Sequence, residues 1–258
     1  MAVDSLIVPD WPAPANVVAL ATTRLGVAGF AGASVAPYSH FNLGDHVDDD
    51  RASVDQNRDA LISACDGLNS IAWLQQVHGV EVCDASNAVS APLRADASIS
   101  HVKGLASAVL TADCLSVLFC RTDGSAVAAA HAGWRGLCAG VLANTVKAFN
   151  CRPQELMAWF GPAISSAHFE VGPEVYQAFV SGFAGVTKAQ TDDAFRPSSD
   201  KRGHFYADLN ALARSQLQNL GLAWIGGGDM CTYADVNRFY SFRRDGQTGR
   251  QVSLIYRR

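Results

Sequence analysis

The sequence predicts an α/β to α+β fold, one domain of mixed β-sheets flanked by helices over residues 1–258, and three observations carry that reading. Apolar runs of strand length occur at 106–110, 115–120 and 126–130. Apolar residues at helical spacing fill 54–65, 135–150, 173–183 and 208–220. The two kinds of segment mix without strict βαβ alternation, which argues for mixed sheets. No low-complexity tract, repeat or composition break marks a linker.

Taken in order, 26–44 is a Gly/Ser/Ala/Pro-rich stretch that reads as an ordered loop delivering Asn42-Leu43-Gly44-Asp45, and 54–65 is the first helix. Short apolar runs at 72–77 and 80–83 read as strands around a turn that holds Gln76, His78 and Gly79. The run 106–110 leads into Asp113-Cys114, 115–120 leaves it, and 126–130 delivers His131 before a helix over 135–150 carrying Leu137, Val141, Leu142, Thr145, Val146 and Phe149. In 208–220, Asp208 is the expected N-cap and Gly221 the expected C-terminal stop. Segments 239–242 and 251–256 flank Asp245-Gly246-Gln247-Thr248-Gly249 and predict a hairpin.

Composition narrows the function. Hydrophobic residues make up 49% and charged residues 17% of the 258, enough to bury a full core. No run of about 18 apolar residues is present to span a bilayer. The start, Met1-Ala2-Val3-Asp4-Ser5-Leu6, is acidic where an export signal is basic, and Asp10 and Pro12 interrupt any apolar region, so a cytoplasmic location is expected. A net charge of −4 and a pI near 5.9 argue against a nucleic-acid binder and for a small-molecule partner. Seven cysteines without close spacing read as reduced thiols, six of them packing as small hydrophobes. Cys114 differs because its neighbour Asp113 is charged and costly to bury without a task.

Nucleotide-binding glycine loops, the G-x-S-x-G elbow, H-E-x-x-H and C-x-x-C are absent. His168-Phe169-Glu170 matches half of a zinc deaminase signature, but the P-C-x-x-C half is missing, so Glu170 reads as a surface or supporting residue. His78, Cys114 and His131, 36 and 17 residues apart, share a position at strand ends. Cys and His brought together there are either a nucleophile and its base or, as a His₂Cys set, ligands of zinc with a fourth position open. Arg135, at the start of a helix, is a candidate anion contact that Arg24, Arg243 and Arg244 can join. Trp134 reads as core.

At these residues the chain resembles the YfiH family, also called the multicopper polyphenol oxidase or laccase-domain family, nearly end to end. The resemblance is carried by Thr22-Thr23-Arg24, Asn42-Leu43-Gly44, Gln75-Gln76-Val77-His78-Gly79, Ala95-Asp96-Ala97, Thr111-Ala112-Asp113-Cys114, His131-Ala132-Gly133-Trp134-Arg135-Gly136, Gly161-Pro162-Ala163-Ile164, Cys231-Thr232 and Phe239-Tyr240-Ser241-Phe242-Arg243-Arg244-Asp245. Ser116 is a departure, since the family usually has Pro there.

The resemblance implies one zinc ion on His78, Cys114 and His131. It also implies purine nucleoside chemistry: phosphorolysis of adenosine, inosine, guanosine and methylthioadenosine, and deamination of adenosine. Expected catalytic residues are Cys114, His131 and Asp113, the last as acid/base or as the carboxylate orienting a ligand. Expected substrate and anion contacts are Arg24, Asn42, Arg135 and Arg244. The family is also linked to copper-dependent phenol oxidation and to editing of peptidoglycan precursors. Seven His with no H-x-H disfavour copper and the laccase reading. A cysteine hydrolase built on Cys114 and His131 is the alternative, through resemblance to the cytotoxic necrotizing factor deamidases.

Overall fold

Alternate side chains of the strand Leu115–Arg121 enter two different cores. Leu115, Val117 and Phe119 pack with helical residues such as Leu137, Val141 and Leu212, while Leu118 and Cys120 pack with Ala19, Val109 and Ile255 from another sheet. Period-two alternation with both faces buried makes the strand read as an unbroken apolar run. The computed structural model describes residues 5–258, and the export reading of Met1 to Asp4 lies outside them.

Two sheets are stacked face to face. One has five strands in the order Leu6–Ile7, Val17–Thr22, Gln251–Arg257, Leu105–Thr111 and Ser70–Ala72. The other has six: Trp224–Gly227, Leu156–Phe160, Leu115–Arg121, Val127–Ala132, Ala97–Ser100 and Val82–Asp84. Both are mixed: Ser70–Ala72, Trp224–Gly227 and Val82–Asp84 pair in parallel at the edges, and the central pairs are antiparallel. The helix Arg51–Ala64 covers the outer face of the first sheet with Leu61. The helices Trp134–Ala139, Val141–Ala148, Pro173–Gly182 and Leu209–Leu220 cover the outer face of the second. The result is a four-layer mixed α/β architecture with a central core between the sheets. Among the described residues no helix is long and apolar enough to cross a membrane.

The helix ends follow local chemistry. Asp208 accepts a hydrogen bond from the Ala211 N–H and Gly221 ends the helix at φ 85°, as expected from their residue types. The helix expected over 135–150 is two helices, because Gly140 adopts φ 102° and breaks it. The strand expected to end at 130 runs to Ala132, so His131 lies inside it. The run 72–77 divides into Ser70–Ala72 and Leu74–Gln75. The hairpin over 239–256 is not formed. Ser241 caps a helical turn at Phe242–Asp245, and the Gln251 side-chain amide takes the place of a ladder by bonding the N–H and C=O of Tyr240. Trp134 packs half-buried against the helical core.

Ser116 stitches the layers together. Its hydroxyl lies 2.7 Å from that of Ser253 on the opposing sheet, and both residues are buried. Replacing either one by Ala strands the other hydroxyl, with an expected cost of about 1–3 kcal/mol. The double replacement should recover part of that loss, a non-additivity that urea denaturation of the three variants measures. Additive losses would remove the pair from the account.

Candidate functional site

The chain steps from one sheet to the other through Ala112-Asp113-Cys114, between Leu105–Thr111 and Leu115–Arg121. The step is so tight that Asp113 takes φ 98°, a conformation costly for a residue with a Cβ. Three bonds hold it there. The Thr232 hydroxyl donates to Oδ1 at 2.7 Å, the Arg243 N–H donates to Oδ2 at 2.7 Å, and the Ile164 N–H donates to the Asp113 carbonyl. With both carboxylate oxygens engaged, Asp113 shapes the turn that presents Cys114.

A second carboxylate, Asp96, organises the histidines. It is fully buried and accepts the N–H groups of Val77, His78 and Gly79 together with His131 Nδ1–H, at 2.7 to 3.1 Å. Burial alone would raise its pKa, but the His131 ring and these backbone donors outweigh that and hold it below the usual carboxylate range. The loop it gathers carries His78 at φ 59°. Gln76 ties the same loop to the end of a neighbouring strand through both polar atoms of its side chain, which bond the N–H and C=O of Leu110.

These constraints bring His78, Cys114 and His131 together, with one ligand atom from each lying within 4.8 Å of the others. The two imidazoles meet edge to face at 4.7 Å, and Cys114 Sγ lies 3.9 Å from His78 Nε2. With Nδ1 committed to Asp96, His131 has Nε2 left for the site. Gly133 closes the group from behind, where a Cβ would stand 3.0 Å from the His78 ring and 3.1 Å from Cys114 Sγ. Burial disfavours the Cys114 thiolate, yet attraction to His131 and His78 more than offsets it and holds the thiol well below its ordinary pKa. His131 moves the opposite way: burial opposes its charge, but Cys114 and Asp96 raise its pKa. A donor set of two imidazoles and one thiol can hold a soft or borderline metal.

The group forms one wall of a cleft of about 310 Å³ that Gln76, Thr111, His46, Phe242 and Arg250 also line. None of the four expected anion contacts lines it. Arg24 spends its fork on the Ser39 carbonyl. Asn42 is buried, bonding Gly44, Asp49 and the Arg250 N–H. Arg244 clamps the carbonyls of Thr232, Tyr233 and Phe239. Arg135 is exposed, with its guanidinium 4.5 Å from the Trp134 ring. Charge is visible in sequence, but direction is not: backbone carbonyls take the donors of Arg24, and carbonyls together with the Asp245 carboxylate take those of Arg244. Arg243 also bonds a carbonyl, that of Glu170, whose own carboxylate accepts from Ser198. Asp96 is among the residues that carry the resemblance but has no role assigned from sequence, and Arg250 on the cleft wall is not singled out there. Asp96 had a signal, a lone acid between alanines at the mouth of an apolar strand.

Known proteins match this chain over nearly its full length. The family model described as multi-copper polyphenol oxidoreductase laccase matches residues 18–258. An Escherichia coli K12 protein named purine nucleoside phosphorylase YfiH is 47% identical over 251 residues, covering 97% of this chain and 98% of its own. A Pseudomonas aeruginosa protein named purine nucleoside phosphorylase is 48% identical over 250 residues, with 97% of each chain covered. The crystal structure of a Neisseria meningitidis protein superposes with a TM-score of 0.90 at 44% identity, covering 98% of this chain and 99% of the other. By fold, motif and sequence alike, the chain belongs to the YfiH family.

Proposed function

We propose that this protein is a zinc-dependent purine nucleoside enzyme of the cytoplasm, a single domain that carries out phosphorolysis of adenosine, inosine, guanosine and methylthioadenosine and deamination of adenosine. The observation that carries this reading is the convergence of His78, Cys114 and His131 on one wall of a cleft near the lower end of ligand-pocket volumes, about 300–1,000 Å³. The names of the relatives supply the substrate class.

The residues fit a zinc ion. The set is His₂Cys, one histidine has its tautomer fixed by a buried carboxylate, and the missing Cβ of Gly133 leaves room for the three side chains to meet. Zinc in such a site supplies a Lewis acid that brings the pKa of water toward about 7. The chain's own groups do the rest. Asp96 holds His131, Asp113 holds the turn of Cys114, and Phe242, 60% exposed on the cleft wall, offers a flat face to a purine base. Among the described residues no other group of three or more His, Cys, Asp and Glu side chains converges, which disfavours a multicopper oxidase.

One observation favours the cysteine-nucleophile alternative: the Cys114 thiol is acidified beside a histidine. Iodoacetamide separates the two. In metal-free protein at pH 7, Cys114 should alkylate ahead of Cys83 and Cys138, whose thiols burial raises, and zinc should protect it. Labelling at the same rate with zinc bound would favour the nucleophile.

Cys114→Ala and His131→Ala are expected to abolish stoichiometric zinc, measured by elemental analysis, together with turnover of adenosine. Product identification with and without phosphate separates adenine plus ribose 1-phosphate from inosine. Full zinc content in Cys114→Ala would remove it from the ligand set.

Asp96→Asn should keep the ligands but weaken zinc affinity about 10- to 100-fold, the effect of losing a carboxylate behind a ligating histidine. Competition with a chromophoric chelator measures it, and an unchanged affinity would reduce Asp96 to a folding role.

A further inference from the structure

The cleft extends beyond the donor group. A second lobe of about 410 Å³ adjoins it, and the two share His46, Phe242 and Arg250 as a common wall. Arg250 therefore stands at the waist. Its Nη1 bonds the carbonyls of Thr248 and Gly249 at 2.9 Å, and among the described residues no protein acceptor takes Nε or Nη2. No carboxylate pairs with it among those residues, although burial works against its charge. Cys114 and Asp113 attract this charge without pairing with it, and a half-buried guanidinium that lines a cleft with Nε and Nη2 unused calls for an anion.

A second group points the same way. Gln251 pairs with Thr111 across the sheet, so Arg250 and Thr111 occupy adjoining strand ends. Thr111 lines the cleft, is 2% exposed, and its hydroxyl has no hydrogen-bond partner among the described residues. Buried polar groups ordinarily find one. Among the described residues no Asp or Glu lines the inner lobe, Asp48 lines the outer one, and the nearby Asp113 has both oxygens engaged.

We propose that Arg250 and Thr111 form an oxyanion subsite that binds inorganic phosphate beside His78, Cys114 and His131, an assignment that rests on the phosphorolysis reading. In that reaction a phosphate oxygen forms a bond to ribose C1′ as the C1′–N9 bond breaks. The bonding pair leaves with the purine, and the proton of hydrogen phosphate ends on it. The guanidinium at the waist and the hydroxyl on the inner lobe hold the phosphate at the inner side of that junction.

Isothermal titration of inorganic phosphate into the as-isolated, metal-containing protein tests the subsite. Arg250→Gln should bind about 10- to 100-fold more weakly. Arg250→Lys should fall between, since it keeps charge and loses the fork. Thr111→Val should weaken binding about two- to tenfold with no fall in Tm, because no protein hydrogen bond is lost. It decides the matter if Arg250→Gln does not fold. Arg135→Gln should bind as the wild type does. Wild-type affinity in Thr111→Val together with either Arg250 variant, or a loss in Arg135→Gln, would overturn the subsite. So would conversion of adenosine to inosine by a protein that binds no phosphate, which leaves the nucleoside reading intact. Phosphate binding that depends on Arg250 in a protein that turns over no nucleoside would uphold the subsite and overturn that reading instead.

Discussion

The carboxylate of Asp96 is the constraint on which the site depends. A fully buried charge is costly, and this one is compensated by three consecutive backbone N–H groups and an imidazole N–H. The same four bonds fix two things that have no other reason to coincide. They fold the loop carrying His78 and turn the His131 ring so that Nε2 is the nitrogen left to the cleft. A side chain lost here would disturb both histidines at once, and hydrogen bonds shared in this way are worth more together than singly.

The second determinant is the crossover between sheets. Strands packed on both faces leave no room for a functional group along their length, so chemistry collects where the layers part. Cys114 lies on the step between the two sheets, His131 near the end of a central strand, and Thr111 and Arg250 at the ends of the strands opposite. Backbone strain concentrates in the same place: His78 and Asp113 are two of the four non-glycine residues with positive φ among those described. Asp113 and Asp96 hold those two conformations through hydrogen bonds, which is how a strained turn persists in a folded protein.

The helices were legible where their ends are written in residue types. Pro173–Gly182 and Leu209–Leu220 fall within a residue or so of expectation because Pro, Asp and Gly mark their limits. The doubly buried strands around Cys114 were legible as apolar runs. Val17–Thr22, Leu156–Phe160 and Trp224–Gly227 have no Cys or His next to their ends to draw attention to them. The metal-ligand candidates stood out because a Cys and two His beside apolar runs are conspicuous. Arg250 did not, since the turn before it read as a hairpin tip, whereas the chain there forms a helical turn and a loop closed by the Gln251 amide. Arg24, Asn42 and Arg244 show the converse. Their residue types suit a ligand, but tertiary structure turns them onto backbone groups and, for Asn42 and Arg244, onto the carboxylates of Asp49 and Asp245.

The family description speaks of several coppers, while the described residues gather one donor group, and the coordination shell is where the two pictures part. X-ray absorption at the zinc edge of the as-isolated protein tests the account most directly. It predicts one zinc per chain with one sulfur near about 2.3 Å and two imidazole nitrogens near about 2.0–2.1 Å. A shell without sulfur, or copper in place of zinc in the protein as isolated, would contradict it.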